Sequence, residues 1–239
     1  MIGEIAALEA ATFGGSPTRH TLVDGKLIGR FGRKAAAINL LHQTMNAYLQ
    51  DMGLTTDLFN RDLLHAGVGN FAEDGVPDPE IPSSELNAVV FYLKTLRVPL
   101  RRDLDDPDVR DGEVIFEQIG CAKCHVPTLR TGPSEIAPLD RVTFHPYTDL
   151  LLHDMGPELD DGYTEGRAAT SEWRTTPLWG LGLSEEFQGG IAFYMHDGRA
   201  RSLREAIELH GGEGSASRAA FRGLSAEDQE RLLAFLRSL

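Results

Sequence analysis

The chain has 239 residues, room for one large or two small domains, and its 41% hydrophobic and 25% charged content is that of an ordinary globular protein. A net charge of −13 opposes nucleic acid or an anionic membrane surface as partner, and no apolar run approaches the length of a membrane span. Two cysteines are too few for a disulfide scaffold.

Met1-Ile2-Gly3-Glu4-Ile5 lacks the basic n-region and apolar core of a secretion leader. Thr18 to Gly32 is Gly-rich and weakly periodic, and reads as loop or short extended structure. A helix is expected over about Lys34 to Asp51, with Ala37, Leu40, Leu41, Met45, Tyr48 and Leu49 as its apolar stripe and Gly53 as its stop. Residues 66–83, rich in Gly, Pro and Asp, should be irregular. A second helix opens on Ser83-Ser84-Glu85 and ends near Arg97. The C-terminal stretch Ser225 to Leu239 looks like it: both open on Ser, carry acids in the first turn and finish on an aromatic stripe with leucines. This weak internal repeat predicts two units that each close with the same kind of helix, 84–96 and 226–239. The units are residues 1–97 and 108–239, joined by a linker at 98–107 whose Pro99, Pro107 and dense charge mark a boundary.

Cys121-Ala122-Lys123-Cys124-His125 holds the most chemical information. C-x-x-C-H is the attachment pattern of a c-type haem: two thiols add across the two vinyl groups of one porphyrin, and the next imidazole reaches the iron from one face. Three plainer readings compete. A structural zinc site needs four ligands, and the sequence has no second closely spaced Cys or His pair. A thioredoxin-like dithiol would sit in a βαβ context and has no use for His125. Chance is the third. The approach favours haem, because Val114, Ile115 and Ile119 fall near one helical face and Gly120 lets a bulky planar group come close. Covalent attachment normally takes place outside the cytoplasm. A periplasmic location is therefore expected, with the leader removed or upstream.

The second axial position decides between electron transfer and ligand chemistry. Its candidates are His145, His153, Met155, Met195, His196 and His210. Ser202-Leu203-Arg204-Glu205 is a capping box, and the helix it opens places Leu203, Ala206, Ile207 and His210 on one face. Gly211-Gly212 stops that helix and leaves room for a flat ring. On these residues alone His210 is equally an iron ligand or a core histidine bonded to a carbonyl. His196, in the turn Phe193 to Arg199, and His153, in Leu151 to Gly156, have polar surroundings suited to haem propionates, and Met155 is within possible reach of iron. A purely structural role is the simpler reading for each of these three.

Together these segments resemble the bacterial di-haem oxidoreductase family, also described as thiol oxidoreductases and related to the di-haem cytochrome c peroxidases. The resemblance is carried by Gly29-Arg30-Phe31-Gly32, Asp51-Met52-Gly53, the stretch Gly120 to Pro127, Tyr147 to Gly156, Glu172 to Gly180, His196 to Ala200, and Glu205 to Glu213. It implies a mainly α fold: a cytochrome c-like domain preceded by the partial remains of another. It implies one haem c, with Cys121, Cys124, His125, His210, His196 and Trp179 binding the cofactor and His125 and His210 on the iron. It further implies electron transfer to a redox partner protein. In the peroxidase relatives a helix after an aromatic-His-Asp-Gly turn supplies the sixth ligand, which raises His210 above the other candidates. One departure matters more than any match: family members carry two C-x-x-C-H sites and this chain has one. The missing haem is the one with the open position where peroxide reacts, so no catalytic residue is assigned. Arg33 stands where the family has Trp. The alternatives are a mono-haem electron carrier with no catalysis of its own and an inactive truncated fragment. Acidic residues abound without EF-hand spacing.

Overall fold

The computed structural model describes residues 22–23, 27–64, 67, 69 and 72–239. The leader reading at Met1–Ile5 and the start of the Thr18–Gly32 segment lie outside them. The described part of that segment is a small antiparallel ladder, β1 (Leu22–Val23) against β2 (Leu27–Ile28). The chain then turns tightly, Phe31 pairing with Ala37. Lys34, inside the turn, is 2% exposed, with its ammonium on Asp161 at 3.1 Å and on the carbonyls of Ala169 and Thr170. This turn delays the helix expected from Lys34. Helix α1 (Leu40–Ala47) starts only after Asn39, whose side-chain oxygen accepts from His42 N at 2.8 Å. A wider π turn, Tyr48–Met52, carries it to Gly53.

The described residues of 66–83 are irregular apart from a 3₁₀ residue at Gly67 and a bridge from Ile81 to Thr56, and α2 (Ser83–Thr95) follows. Leu86 and Val90 are the buried residues of α2, which packs on α1. Its cap comes from a distance: Ser83 N donates to the Asp57 carboxylate at 2.7 Å. Phe91 and Tyr92 are exposed, so this helix resembles the C-terminal one in pattern more than in burial. From Leu96 to Asp106 the chain is irregular and lies against the C-terminal half. Arg101 forks the Glu113 carboxylate at 2.9 and 2.8 Å, and Arg102 N donates to Ser238 O at 2.8 Å.

Helix α3 (Pro107–Gln118) has Asp106 as its cap and Pro107 in its first turn. Two ladders follow: β3 (Leu129–Arg130) with β4 (Thr143–Phe144), and β5 (Leu152–Asp154) with β6 (Glu172–Arg174), the latter setting His153 opposite Trp173. Four helices complete the chain: α4 (Ser184–Phe187), α5 (Leu203–Glu208), α6 (Ser215–Arg222) and α7 (Ala226–Ser238), the last capped by Ser225.

The main core forms where α3 crosses α7. Val109, Ile115 and Phe116 meet Leu232, Leu233, Phe235 and Leu236, with Tyr147, Leu203 and Phe221 closing around them. Gly112 makes the crossing possible, because a β-carbon there would overlap the Arg231 carbonyl. The buried stripe of α3 is therefore Val109, Gly112, Ile115 and Phe116, while Val114, expected to share a face with Ile115 and Ile119, is 52% exposed. The described architecture is thus helices joined by long irregular stretches, with small antiparallel ladders between them; the mainly α expectation left the ladders out. No described helix is long and apolar enough to cross a membrane.

Candidate functional site

Helix α3 ends at Ile119, and Gly120 takes φ +88°, a left-handed conformation that turns the chain back under the helix. The 3₁₀ turn Cys121–Lys123 follows. His125 N donates to Cys121 O at 3.0 Å, so both thiols and the imidazole belong to one compact turn. Cys121 packs against the α3–α7 core, and burial pushes its thiol up to about 12. The His125 ring lies 6.3 Å from Phe116. Its Nδ1 is 3.1 Å from Tyr147 O. Tyr147 is held in turn by the bond from Thr148 N to Val126 O at 3.0 Å and by its hydroxyl donating to Glu113 at 3.0 Å.

His210 reaches the same place from the other side. Ser202 caps α5 by accepting from Glu205 N at 3.1 Å, but the Glu205 carboxylate takes Arg201 N at 2.7 Å, so only half of the expected box forms. His210 sits just past the helix end, its N donating to Ile207 O and its Nδ1 2.7 Å from Ala206 O. The His125 and His210 rings have centroids 6.4 Å apart and planes inclined by 54°.

With each Nδ1 donating to a carbonyl, each Nε2 is the basic nitrogen, and among the described residues neither Nε2 has a hydrogen-bond partner. Burial, then the neighbouring His210, pushes His125 down to about 4; burial also holds His210 below its ordinary value. Both rings are therefore neutral at neutral pH, the form that ligates a metal. Two imidazoles on opposite faces of one metal, with bonds of about 2.0 Å, would have centroids roughly 6.3 Å apart. The separation of the pair is that expected of two imidazoles that would hold one metal between them.

The glycines after His210 have a different task from the one the sequence suggested. A β-carbon at Gly212 would overlap Asp154 O, and one at Gly211 would come within 2.6 Å of Met155 O. They make room for the backbone of residues 154–156 rather than for a ring. Met155 borders the His210 ring: a β-carbon at Gly214 would meet His210 Cβ at 3.1 Å and Met155 Cε at 3.5 Å.

His153 is 4% exposed and saturated, with Nε2 2.9 Å from Asp149 and Nδ1 3.1 Å from Glu213. Cys124 Sγ lies 3.7 Å from Nδ1. Burial opposes its charge, yet the contacts to Asp149, Cys124 and Glu213 carry it up to about 10. Both ring nitrogens are engaged by carboxylates, so none is left for a propionate. Instead His153 clamps the Cys124 turn to the Gly212–Gly214 turn beside His210.

His196 stacks on Trp173 at 4.4 Å and 23°, with Nε2 3.2 Å from Arg174 O; the Lys34 ammonium sits 4.0 Å from the Trp173 ring centroid. Burial pushes His196 down to about 4, with the charges of Arg174, Arg33 and His210 adding to the effect. Trp179 lies 6.4 Å from Phe144 and packs with Leu129 and Leu150. His145 is exposed, on Thr128 at 3.0 Å, and Met195 takes a left-handed φ of +67°. The structure thus brings Cys121, Cys124, His125 and His210 together. Sequence reasoning missed Tyr147, Glu213 and Arg174, whose partners are far away along the chain, and Asp149, whose partner His153 is four positions on.

A family model described as "Di-haem oxidoreductase, putative peroxidase" matches residues 23–239. No curated protein matches in sequence. Among solved structures the chain is similar to hydrazine synthase of Kuenenia stuttgartiensis, at 19% identity and a TM-score of 0.41, over 68% of this chain and 57% of that one.

Proposed function

The chain belongs to the di-haem oxidoreductase family, and from that premise we propose that it binds one c-type haem between His125 and His210 and relays electrons through it. The observation that carries this reading is the imidazole pair, 6.4 Å apart with both Nδ1 atoms on backbone carbonyls. Cys121 and Cys124 are free thiols on the turn that presents His125 and would hold the haem covalently. A bound haem supplies one-electron chemistry at its iron. The protein supplies the frame. The Tyr147 and Ala206 carbonyls fix the tautomer and direction of each imidazole. The α3–α7 core, through Phe116, keeps water from the His125 side.

If His125 and His210 both held the iron, a substrate would find no place on it, so electron relay rather than turnover would be the fitting role of this site. In that reading residues 108–239 are a cytochrome c-like unit, 98–107 a linker, and 1–97 part of a second unit whose haem segment is not in this chain. The peroxidase-like chemistry would then belong to another haem, with a redox partner protein on either side and a periplasmic location. A mono-haem carrier without catalysis is the alternative within the same chemistry.

A second reading has its own observation. Ligand atoms of Cys124, Asp149 and His153 lie within 4.8 Å of one another, a grouping suited to a divalent metal. The two readings compete for Cys124, which cannot be thioether and thiolate at once. The protein should be produced with a secretion leader alongside a cytochrome c maturation system. Haem that survives acid-acetone extraction is the expected result. Colourless protein, or haem that extracts freely, would overturn the haem reading, and stoichiometric zinc in that protein would support the second.

A further inference from the structure

The peptide unit between Tyr147 and Thr148 meets the C-x-x-C-H turn twice. Its carbonyl accepts from His125 Nδ1 at 3.1 Å, and its N–H donates to Val126 O at 3.0 Å. Tyr147 presents that carbonyl from a left-handed backbone, φ +53°. A bulky aromatic residue keeps this conformation only where its surroundings outweigh the strain. The grip lies at the far end of its side chain. Tyr147 is 4% exposed, and its hydroxyl donates to Glu113 Oε1 at 3.0 Å while accepting from Arg101 Nη1 at 3.3 Å. Arg101 in turn forks the Glu113 carboxylate at 2.9 and 2.8 Å, and its guanidinium stands 5.0 Å over the Phe235 ring, which packs 5.7 Å from the ring of Tyr147.

Arg101 comes from outside the helices of this core. It lies in the irregular stretch between α2 and α3, and Glu113 meets it from α3. A chain of four side chains thus runs from that stretch to the imidazole: Arg101, Glu113, Tyr147, His125. We propose that Arg101 and Glu113 are positioning residues for His125: acting through Tyr147, they hold the hydrogen bond on its Nδ1, so that the segment joining the two halves of the chain bears on the potential of the haem. This rests on the haem reading above. A carbonyl on Nδ1 makes an imidazole a stronger donor at Nε2, which favours ferric iron, and loosening that bond favours ferrous iron. His210 is the internal control, because its Nδ1 is held by Ala206 O within its own helix and no member of the chain touches that bond.

The test uses the haem-loaded protein with ¹⁵N-labelled histidine, reduced, so that NMR reads the Nδ1 protons of His125 and His210 separately. Tyr147→Phe removes the hydroxyl and no charge. The double variant Arg101→Met/Glu113→Met removes the ion pair without changing the net charge. Attached haem is measured first as the pyridine haemochrome and should match the parent. Should the double variant fall short of full haem, Tyr147→Phe, which keeps the ring in the core, carries the test. In both variants the His125 proton should exchange with solvent about threefold to tenfold faster, the weight of one hydrogen bond, and the reduction potential should rise. The His210 proton should keep its parent rate. Arg101→Lys, which keeps the charge but not the fork, should fall between parent and double variant. An unchanged His125 proton and potential in Tyr147→Phe with full haem would overturn the inference and leave the haem reading standing. Equal acceleration at His125 and His210 would also overturn it, since the fold would then have loosened as a whole. A parent protein with no attached haem would remove both.

Discussion

His125 and His210 lie 85 positions apart in the chain, yet their rings stand 6.4 Å apart, each with Nδ1 on a backbone carbonyl. The two hydrogen bonds do opposite things in sequence terms. His125 is oriented by a residue 22 positions later, Tyr147, whereas His210 is oriented from within its own helix by Ala206. The His125 side therefore depends on tertiary structure and the His210 side on local structure.

The first prediction follows from that asymmetry. His210→Ala should leave the haem attached, because the thioethers sit on the other turn, while converting the ferric spectrum from low-spin to high-spin and admitting carbon monoxide in the ferrous state. His210→Met should remain six-coordinate with a raised potential, since a thioether favours ferrous iron. An unchanged spectrum in His210→Ala would pass the sixth position to Met155, which borders the same spot.

Thioether formation gives the second. Cys121→Ser and Cys124→Ser should each leave a single thioether, visible as a shifted haemochrome band, and the double variant should lose its haem to acid-acetone. Retention of haem through extraction in the double variant would show that attachment does not use these sulfurs.

What the sequence disclosed was local. The C-x-x-C-H turn, the Ser202 cap and the helix 226–238 are all set by residues within a few positions of one another, and spacing alone locates them; the helix 83–95 is located the same way, although its cap, Asp57, is 26 positions off. Contacts across the chain were hidden. Lys34 looked like the start of a helix, but its ammonium is committed to Asp161, 127 positions away. His153 looked available for a propionate, but Asp149 and Glu213 occupy it, the second from 60 positions on. Gly112 lies in an ordinary polar helix pattern, and only the crossing helix explains it.

That crossing is the third prediction. Gly112→Ala puts a methyl into the Arg231 carbonyl, backbone that cannot step aside without moving α7. The cost should be about 1–3 kcal/mol, net of alanine's better helix propensity. Val114→Ala, two residues on and half exposed, should change stability by no more than about 0.5 kcal/mol. Urea unfolding of the haem-free protein measures both, and equal effects would remove Gly112 from its place at the helix contact.

The fourth concerns acid. His196 is pushed from 6.5 to about 4, by burial first, so the unfolded chain takes up a proton that the folded chain refuses between those values. The stability tied to His196 is fully present above about pH 6.5 and is lost as pH falls toward 4. The ring stacks on Trp173 at 4.4 Å, so protonation should quench indole emission with a midpoint near 4. His196→Gln should abolish that transition and flatten the acid limb of the haem-free protein. A fluorescence midpoint at 6.5 would mean the ring is in open solvent.

The last prediction concerns how His210 is held at its end of the helix. Gly212 has φ +47°, and a β-carbon there would overlap Asp154 O and come within 2.6 Å of Gly156 N. Both are backbone atoms of the segment that also carries His153, the clamp to the Cys124 turn. Gly212→Ala therefore cannot be absorbed by a rotamer change. It must part residues 211–214 from residues 154–156, and His210 moves with the turn. The expected outcome is full haem attachment with a reduced low-spin fraction, together with a stability loss of about 1–3 kcal/mol. Gly53→Ala is the matched control: φ there is +73°, but nothing lies within 4 Å of the added carbon. It should incur only backbone strain, on the order of 1–2 kcal/mol, with the spectrum unaltered. If Gly212→Ala keeps a fully low-spin spectrum and an unchanged potential, the packing of these two turns does not place His210, and the bond to Ala206 holds the ring unaided.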